Sequence, residues 1–214
     1  MNKIILLTLV AWVACFMPCF AQAENWGARR IDNETHRKNH YLVTDADLEN
    51  GVYYDIGDWK SWQYSAINGY YRYLSVEVSP ERHGIAFWYV KIPRAGFYQI
   101  KTAYFSTKHR TNDADYAIYL NVSPQKAIDK SAKPVFEKVV NQRGHGAITK
   151  WADMGTYCLK KDDVSMLVLD GRDDSESDST DATDWIYVGE EYKGEYCVGG
   201  IDLAPITYLL LKRK

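Results

Sequence analysis

Ile85-Ala86-Phe87-Trp88-Tyr89-Val90-Lys91-Ile92 and Phe97-Tyr98-Gln99-Ile100-Lys101-Thr102-Ala103-Tyr104-Phe105, with Pro93-Arg94-Ala95-Gly96 between them, decide the fold class. Both runs are rich in β-branched and aromatic residues, and a proline–glycine segment separates them, which reads as a hairpin-type connection. In the second run Tyr98, Ile100, Thr102 and Tyr104 share one face, while Gln99 and Lys101 take the other. That period of two predicts a half-buried antiparallel strand. Outward from this pair, further strands are expected at Tyr70–Val78, Asp115–Val122, Pro134–Asn141, Gly155–Leu159, Val164–Leu169, Trp185–Val188 and Ile206–Leu211. Only Gln125–Lys133 reads as helical, for two turns. Many short strands at regular spacing with very little helix predict an all-β protein, an antiparallel β-sandwich or jelly roll.

The ends of the chain carry different signals. Met1–Lys3 is a short basic start, Ile4–Phe16 an apolar run, and Ala21-Gln22-Ala23 a small-x-small site before Glu24. This is the layout of a secretory signal peptide over residues 1–23, and the run is too short for a membrane span. Removing it leaves 191 of the 214 residues, enough for one domain with a sizeable core. Only Lys3 among the basic residues leaves with it, so the formal net charge moves from −2 to −3. Such a balance argues against a nucleic-acid binder. Residues 24–40 read as a polar N-terminal arm and 41–214 as a single sandwich domain, secreted or periplasmic. The basic end Lys212-Arg213-Lys214 is too short for a nucleic-acid or membrane patch. Cys15 and Cys19 follow apolar residues but lack the leucine-plus-small pattern of a lipidated cysteine.

Cys158 and Cys197 remain. In an oxidising compartment they are expected to form one disulfide closing a loop of about 40 residues, worth roughly 3–4 kcal/mol. Two free buried thiols are the competing reading.

Enzyme signatures are missing. There is no Gly-x-Ser-x-Gly, no His-Glu-x-x-His, no phosphate-binding glycine loop and no Cys-x-x-Cys after residue 23. His36 and His40 have helical metal-ligand spacing but no third ligand, so exposed polar side chains are the expectation. His109, Arg110 and Asp113 could do acid–base work only if the fold brought them together.

Aromatic density is the stronger lead. Six tryptophans and 17 tyrosines follow the leader, and eight of them fall between Val52 and Tyr73. Sugar rings offer flat C–H faces that pack on such rings, while Arg72, Gln63 and Asn68 could meet hydroxyls. Exposed aromatics supply contact area at low side-chain entropy cost. Trp62, Tyr64, Tyr70 and Tyr71, around a turn at Asn68-Gly69, with Arg72, form the candidate carbohydrate platform. Trp59 and Tyr73 are assigned to the core.

Residues 162–184 hold nine acidic side chains against the single Arg172. Gly171–Thr183 lacks apolar periodicity and reads as a solvated surface loop. Asp173, Asp174, Glu176, Asp178 and Asp181 are candidate calcium ligands, hard oxygens whose crowding a cation would relieve. The segment is no EF-hand: Ser179 and Trp185 stand where that loop needs glycine and glutamate.

A series of local features also resembles a known family. These are Gly57-Asp58-Trp59, Ala86-Phe87-Trp88, the turn and strand opening Ile92–Tyr98, and Arg110-Thr111 with Ala114 and Tyr116. Val140-Asn141-Gln142, Trp151–Tyr157 and Asp184-Trp185-Ile186 follow in order. Together they resemble the golvesin / xanthan-lyase carbohydrate-binding-domain-like family, a galactose-binding-like β-sandwich, over about residues 53–188. Most of these pieces read as scaffold, with Trp59, Trp88 and Trp151 as core plugs. Gln125–Pro134 reads as an insertion, and 189–214 as an extra C-terminal strand region. The resemblance implies a non-catalytic accessory or binding role. The expected function is an exported carbohydrate-binding module for a polysaccharide or cell-envelope glycan. A protein–protein interaction or adhesion factor on the same scaffold is the alternative, and a secreted hydrolase or lyase ranks below both.

Overall fold

The structure is a computed structural model that describes residues 39–44, 53–63, 66–67, 69–75, 84–172 and 176–197. The leader, the arm up to residue 38 and the strand expected at Ile206–Leu211 lie outside the described residues.

Fourteen strands and one short helix are described: β1 (His40–Thr44), β2 (Tyr53–Ile56), β3 (Lys60–Gln63), β4 (Tyr70–Tyr73), β5 (Ile85–Lys91), β6 (Gly96–Ser106), β7 (Ala114–Leu120), α1 (Pro124–Ile128), β8 (Phe136–Val140), β9 (Ile148–Leu159), β10 (Val164–Asp170), β11 (Ser179–Thr180), β12 (Ala182–Gly189), β13 (Glu191–Tyr192) and β14 (Glu195–Tyr196). A four-stranded sheet, β1-β12-β6-β9, faces a five-stranded sheet, β2-β5-β10-β7-β8. Every pairing in both is antiparallel. This is the expected antiparallel sandwich. A small sheet, β11-β4-β3, and a hairpin, β13-β14, accompany it.

The core follows from strand alternation. Tyr98, Ile100 and Tyr104 from β6 and Trp185 from β12 meet Trp88, Val90, Leu167 and Leu169 from the opposite sheet. Trp185 Nε1 donates to Ser165 Oγ across the core at 3.0 Å, which satisfies the indole inside the sandwich. The second sheet also buries its outer face, where Ile85, Phe87, Tyr89, Tyr119, Met166 and Val168 cluster with Ala127 of α1. The segment read as an insertion is therefore the cover of that face. Arg172 holds the cover in place, with Nη1 donating to the Ile128 carbonyl at 2.8 Å while Nε and Nη2 bind Asp170.

The connection Pro93–Gly96 is not a hairpin. β5 pairs with β2 and β10, whereas β6 pairs with β12 and β9. The reason is visible in β5, where six consecutive residues, Ile85–Val90, are buried. A strand covered on both faces and bonded along both edges has no edge left for its neighbour in sequence, so the chain crosses to the other sheet. Gly96 makes the crossing possible. It sits at φ +153°, and a β-carbon there would collide with the Tyr187 ring and approach the Gly189 carbonyl oxygen to 2.9 Å.

The acidic segment is the second correction. Ser177–Asp184 is buried, not solvated, and Ser179–Thr180 forms β11 against β4. Much of its polarity is met around Ser179. Ser179 N–H donates to Gln142 Oε1 at 2.7 Å, Ser179 Oγ donates to the Phe105 carbonyl at 2.8 Å, and Gln142 Nε2 donates to the Ser179 carbonyl at 2.9 Å. Leu74 N–H and Thr111 N–H donate to the Asp178 and Ser177 carbonyls. Such bonds let a hydroxyl-rich run lie in the interior, although the buried Thr180 and Thr183 hydroxyls have no hydrogen-bond partner among the described residues.

Cys158 and Cys197 are joined in a disulfide that ties the residue after β14 to β9. No helix among the described residues is long and apolar enough to cross a membrane.

Candidate functional site

The β3–β4 hairpin carries most of the platform residues, and its register sorts them. Trp62 lies opposite Tyr71, Lys60 opposite Tyr73, Ser61 opposite Arg72 and Gln63 opposite Tyr70. Residues opposite one another in an antiparallel pair share a face. One face therefore holds Lys60, Trp62, Tyr71 and Tyr73, and the other holds Ser61, Gln63, Tyr70 and Arg72. The expected platform is split across two faces, and Tyr64 lies outside the described residues.

Tyr71 is not a surface ring. It is 5% exposed and stacks on Phe105 of β6 with centroids 4.3 Å apart. Its hydroxyl accepts a hydrogen bond from Arg110 Nη2 at 3.0 Å. Arg110 is itself buried, lies over the Tyr73 ring at 5.0 Å, and donates through Nη1 to Ser177 and through Nε to the Phe105 carbonyl. Burial lowers the pKa of Arg110 and raises that of Tyr71. Arg72 has structural employment as well. Its Nε donates to Asp55 Oδ2 at 2.8 Å and its Nη1 to Ser61 Oγ at 2.8 Å. Burial alone would lower its pKa, but the Asp55 carboxylate outweighs burial and raises it.

Trp62 and Tyr70 remain open, at 56% and 47% exposure. They point to opposite sides of the hairpin. Trp62 shares the side of Tyr71, which lies on the outer face of the four-stranded sheet, because Phe105 has the parity opposite to the core residue Tyr104. On that same outer face stands a ring the sequence reading assigned to the core. Trp151 on β9 is 45% exposed and opposes Ala103, two positions along β6 from Phe105. Its alternation with Ala152 and Met154 was the available signal, since Asp153, two residues on, is an exposed acid of the same parity. The Tyr71–Phe105 stack thus lies between two exposed tryptophans.

Polar groups continue the face away from the hairpin. Lys101 lies opposite Asp153 on one side and Asp184 on the other. Gln99 Nε2 donates to Asp153 Oδ2 at 2.9 Å, and Asp184 Oδ2 lies 2.6 Å from His40 Nδ1. Exposed aromatic rings beside a strip of mixed donors and acceptors can hold a ligand with both flat apolar faces and hydroxyls.

The calcium set does not assemble. Asp173 and Asp174 lie outside the described residues. Glu176 binds Arg143 Nη2 at 2.5 Å, and the buried Asp181 carboxylate accepts the Ile67 N–H at 3.1 Å. Asp178 is buried beside Gly171, where a β-carbon would approach Asp178 Oδ2 to 2.5 Å. Among the described residues no three His, Cys, Asp or Glu side chains are placed to hold a metal ion. Protein donors thus occupy the Glu176 and Asp181 carboxylates. His109, Arg110 and Asp113 are also not brought together: His109 is exposed, Arg110 buried, and Asp113 bonded to Thr111.

No protein-family model matches the chain, and no curated protein does. Solved structures do. A xanthan lyase from Paenibacillus is similar at 16% identity and a TM-score of 0.51, over 70% of this chain and 13% of the lyase. A family 35 carbohydrate-binding module from an environmental isolate is similar at 9% identity and a TM-score of 0.48, over 69% of this chain and 93% of the module. A second such module, from Clostridium thermocellum, is similar at 14% identity and a TM-score of 0.45, over 68% and 96%. The chain thus spans 13% of the length of the lyase it matches. At this identity the likeness to the lyase is one of fold, a shared β-sandwich, and no family membership follows from it.

Proposed function

We propose that this protein is an exported, non-catalytic carbohydrate-binding module for a polysaccharide or cell-envelope glycan, and that it binds on the outer face of the four-stranded sheet. The observation that carries the reading is the pair of exposed rings, Trp62 and Trp151, beside the polar strip of Gln99, Lys101 and Asp153. Tryptophan offers a large flat surface to the C–H face of a sugar at little entropy cost, and the strip supplies donors and acceptors for hydroxyls. The disulfide is consistent with an oxidising, extracellular setting. Tyr71 and Arg72 serve the reading indirectly, by fixing the hairpin that presents Trp62.

Affinity electrophoresis in gels containing a panel of plant and bacterial polysaccharides, with soluble peptidoglycan fragments as competitors, tests it. The wild-type protein is expected to be retarded by at least one glycan class, and Trp151→Ala and Trp62→Ala are expected to migrate freely with an unchanged far-UV circular dichroism spectrum. Retardation undiminished in both variants would remove this site.

A protein-interaction role has one observation of its own. Val135 and Val139 are exposed at the edge strand β8, on the side of the five-stranded sheet away from the core. A Val139→Asp variant that loses an envelope-protein partner in a pull-down while keeping glycan retardation would establish it as a separate surface.

A further inference from the structure

Two hairpins stand over the two ends of a single strand. At one end of β6, Tyr71 of the β3–β4 hairpin stacks on Phe105. At the other, Tyr192 of the β13–β14 hairpin packs on Phe97 with centroids 5.8 Å apart. The disulfide from Cys197 to Cys158, the residue opposite Phe97, pins that second hairpin down. Phe97 and Phe105 share the outward parity of β6, and an extended strand separates them by about 26 Å. Between them the outward positions are Gln99, Lys101 and Ala103. Among the described residues the outer face is thus walled at both strand ends and open along its two edge strands, β1 and β9.

We infer that this trough takes an internal stretch of an extended, neutral glycan lying across the strands. The inference rests on the carbohydrate-binding reading and specifies its ligand. Direction comes from the walls: a chain parallel to the strands would meet Tyr71 at one end and Tyr192 at the other, so the open path runs from β9 to β1. Length comes from the sheet: four strands spaced about 4.8 Å apart give a floor that seats three to four sugar units at roughly 5 Å each. Trp151 stands at the β9 lip, where a ring of the incoming chain would stack. Charge comes from the register: Lys101 is flanked by Asp153 and Asp184, so the floor offers no unbalanced positive charge to a carboxylate or sulfate. Hydroxyls, which both donate and accept, suit such a floor. Open edges impose no stop, so neither chain end is needed for recognition.

Titration calorimetry with cello-, xylo- and manno-oligosaccharides from dimers to hexamers tests this on the wild-type protein. Each series is used with free ends and with methyl-capped, reduced ends, and polygalacturonate serves as an acidic competitor. In the series that binds, affinity is expected to rise about tenfold from dimer to tetramer and then level off. Capping both ends should change it by less than about twofold, and polygalacturonate should not compete. Gln99→Trp, which fills the middle of the floor, should lower affinity by at least about tenfold, while Val139→Trp, on the other sheet, should not. Dependence on a free chain end, a preference for polygalacturonate, or full affinity in Gln99→Trp would overturn the trough and leave the carbohydrate reading standing. Failure of the wild-type protein to bind any glycan, soluble or in gels, would overturn both.

Discussion

The rings of Tyr71 and Phe105 lie 4.3 Å apart with their planes inclined by 17°, and through that stack the β3–β4 hairpin is fastened to the main sandwich. Tyr71 also carries the hydroxyl that meets a buried guanidinium, so one side chain joins the hairpin to β6 and to Arg110.

Tyr71→Phe is therefore expected to keep the stack but strip Arg110 of a partner, costing about 1.5–3 kcal/mol, the range for a hydrogen bond to a charged group. Tyr71→Ala loses the ring as well and should cost about 3–5 kcal/mol. Urea denaturation followed by circular dichroism gives both values. Equal destabilisation by the two variants would mean that the hydroxyl, not the stack, holds the hairpin.

Trp62→Ala and Trp151→Ala should each change stability by no more than about 0.5 kcal/mol, because both rings stand largely in solvent. Trp59, Trp88 and Trp185 are buried, so the double variant should also shift intrinsic fluorescence to shorter wavelength and reduce acrylamide quenching. A loss of several kcal/mol in either single variant would return that ring to the core.

Cys158→Ser with Cys197→Ser should lower stability by roughly 3–4 kcal/mol, since the bond closes a loop with a sequence separation of 39. The same double variant should weaken glycan affinity, because Tyr192 would then be held at Phe97 by packing alone. Unfolding midpoints measured with and without reductant check the first expectation, and calorimetry checks the second.

Asp170 supplies a pH dependence. Burial alone would raise its pKa, but the hydrogen bonds and charge of Arg172, with Lys130 nearby, outweigh burial and hold it below the ordinary carboxylate value. A depressed folded-state pKa contributes stability that is complete above the unfolded value of about 3.9 and is lost as pH falls through the folded one. Unfolding free energy should therefore fall as pH drops below about 4, with a shallower slope in Asp170→Asn. An identical acid limb in the variant would place the acid sensitivity elsewhere. Because Arg172 also holds the Ile128 carbonyl, amide protection factors in α1, corrected for the intrinsic exchange rate at each pH, should fall over the same range.

The long strands were legible because period-two alternation is a local property, and Tyr98, Ile100, Thr102 and Tyr104 are buried as their spacing implies. The short strands β1, β2 and β3 carry too few residues to show it. Pairing was less legible, since the sheet to which a strand belongs depends on partners far along the chain. Pro93–Gly96 has the composition of a hairpin turn, yet β5 had already spent both edges on β2 and β10. The buried run Ser177–Asp184 was opaque for a related reason. Its hydrogen-bond partners, Gln142, Phe105, Leu74 and Thr111, are distant in sequence, and a polar run without them would belong in water. At the proposed site, aromatic density pointed to the β3–β4 hairpin. Composition could not separate Trp62 from Tyr71, because both lie on one face and only the stack on Phe105 takes one of them out of solvent. Trp151 was legible in principle, through its shared parity with Asp153.

The place of β12 in the four-stranded sheet also sets an order of events. In the four-stranded sheet, β12 stands between β1 and β6, and its residues lie near the end of the described chain. β6 and β9 can find one another while the rest is still being made, but β1 has no partner until Ala182–Gly189 emerges. Such non-local pairing places folding in the slow, millisecond-to-second regime of β-sandwiches. Until β12 arrives the polypeptide is a half-built sheet, and the tryptophan-lined face comes into being only once that strand is in place.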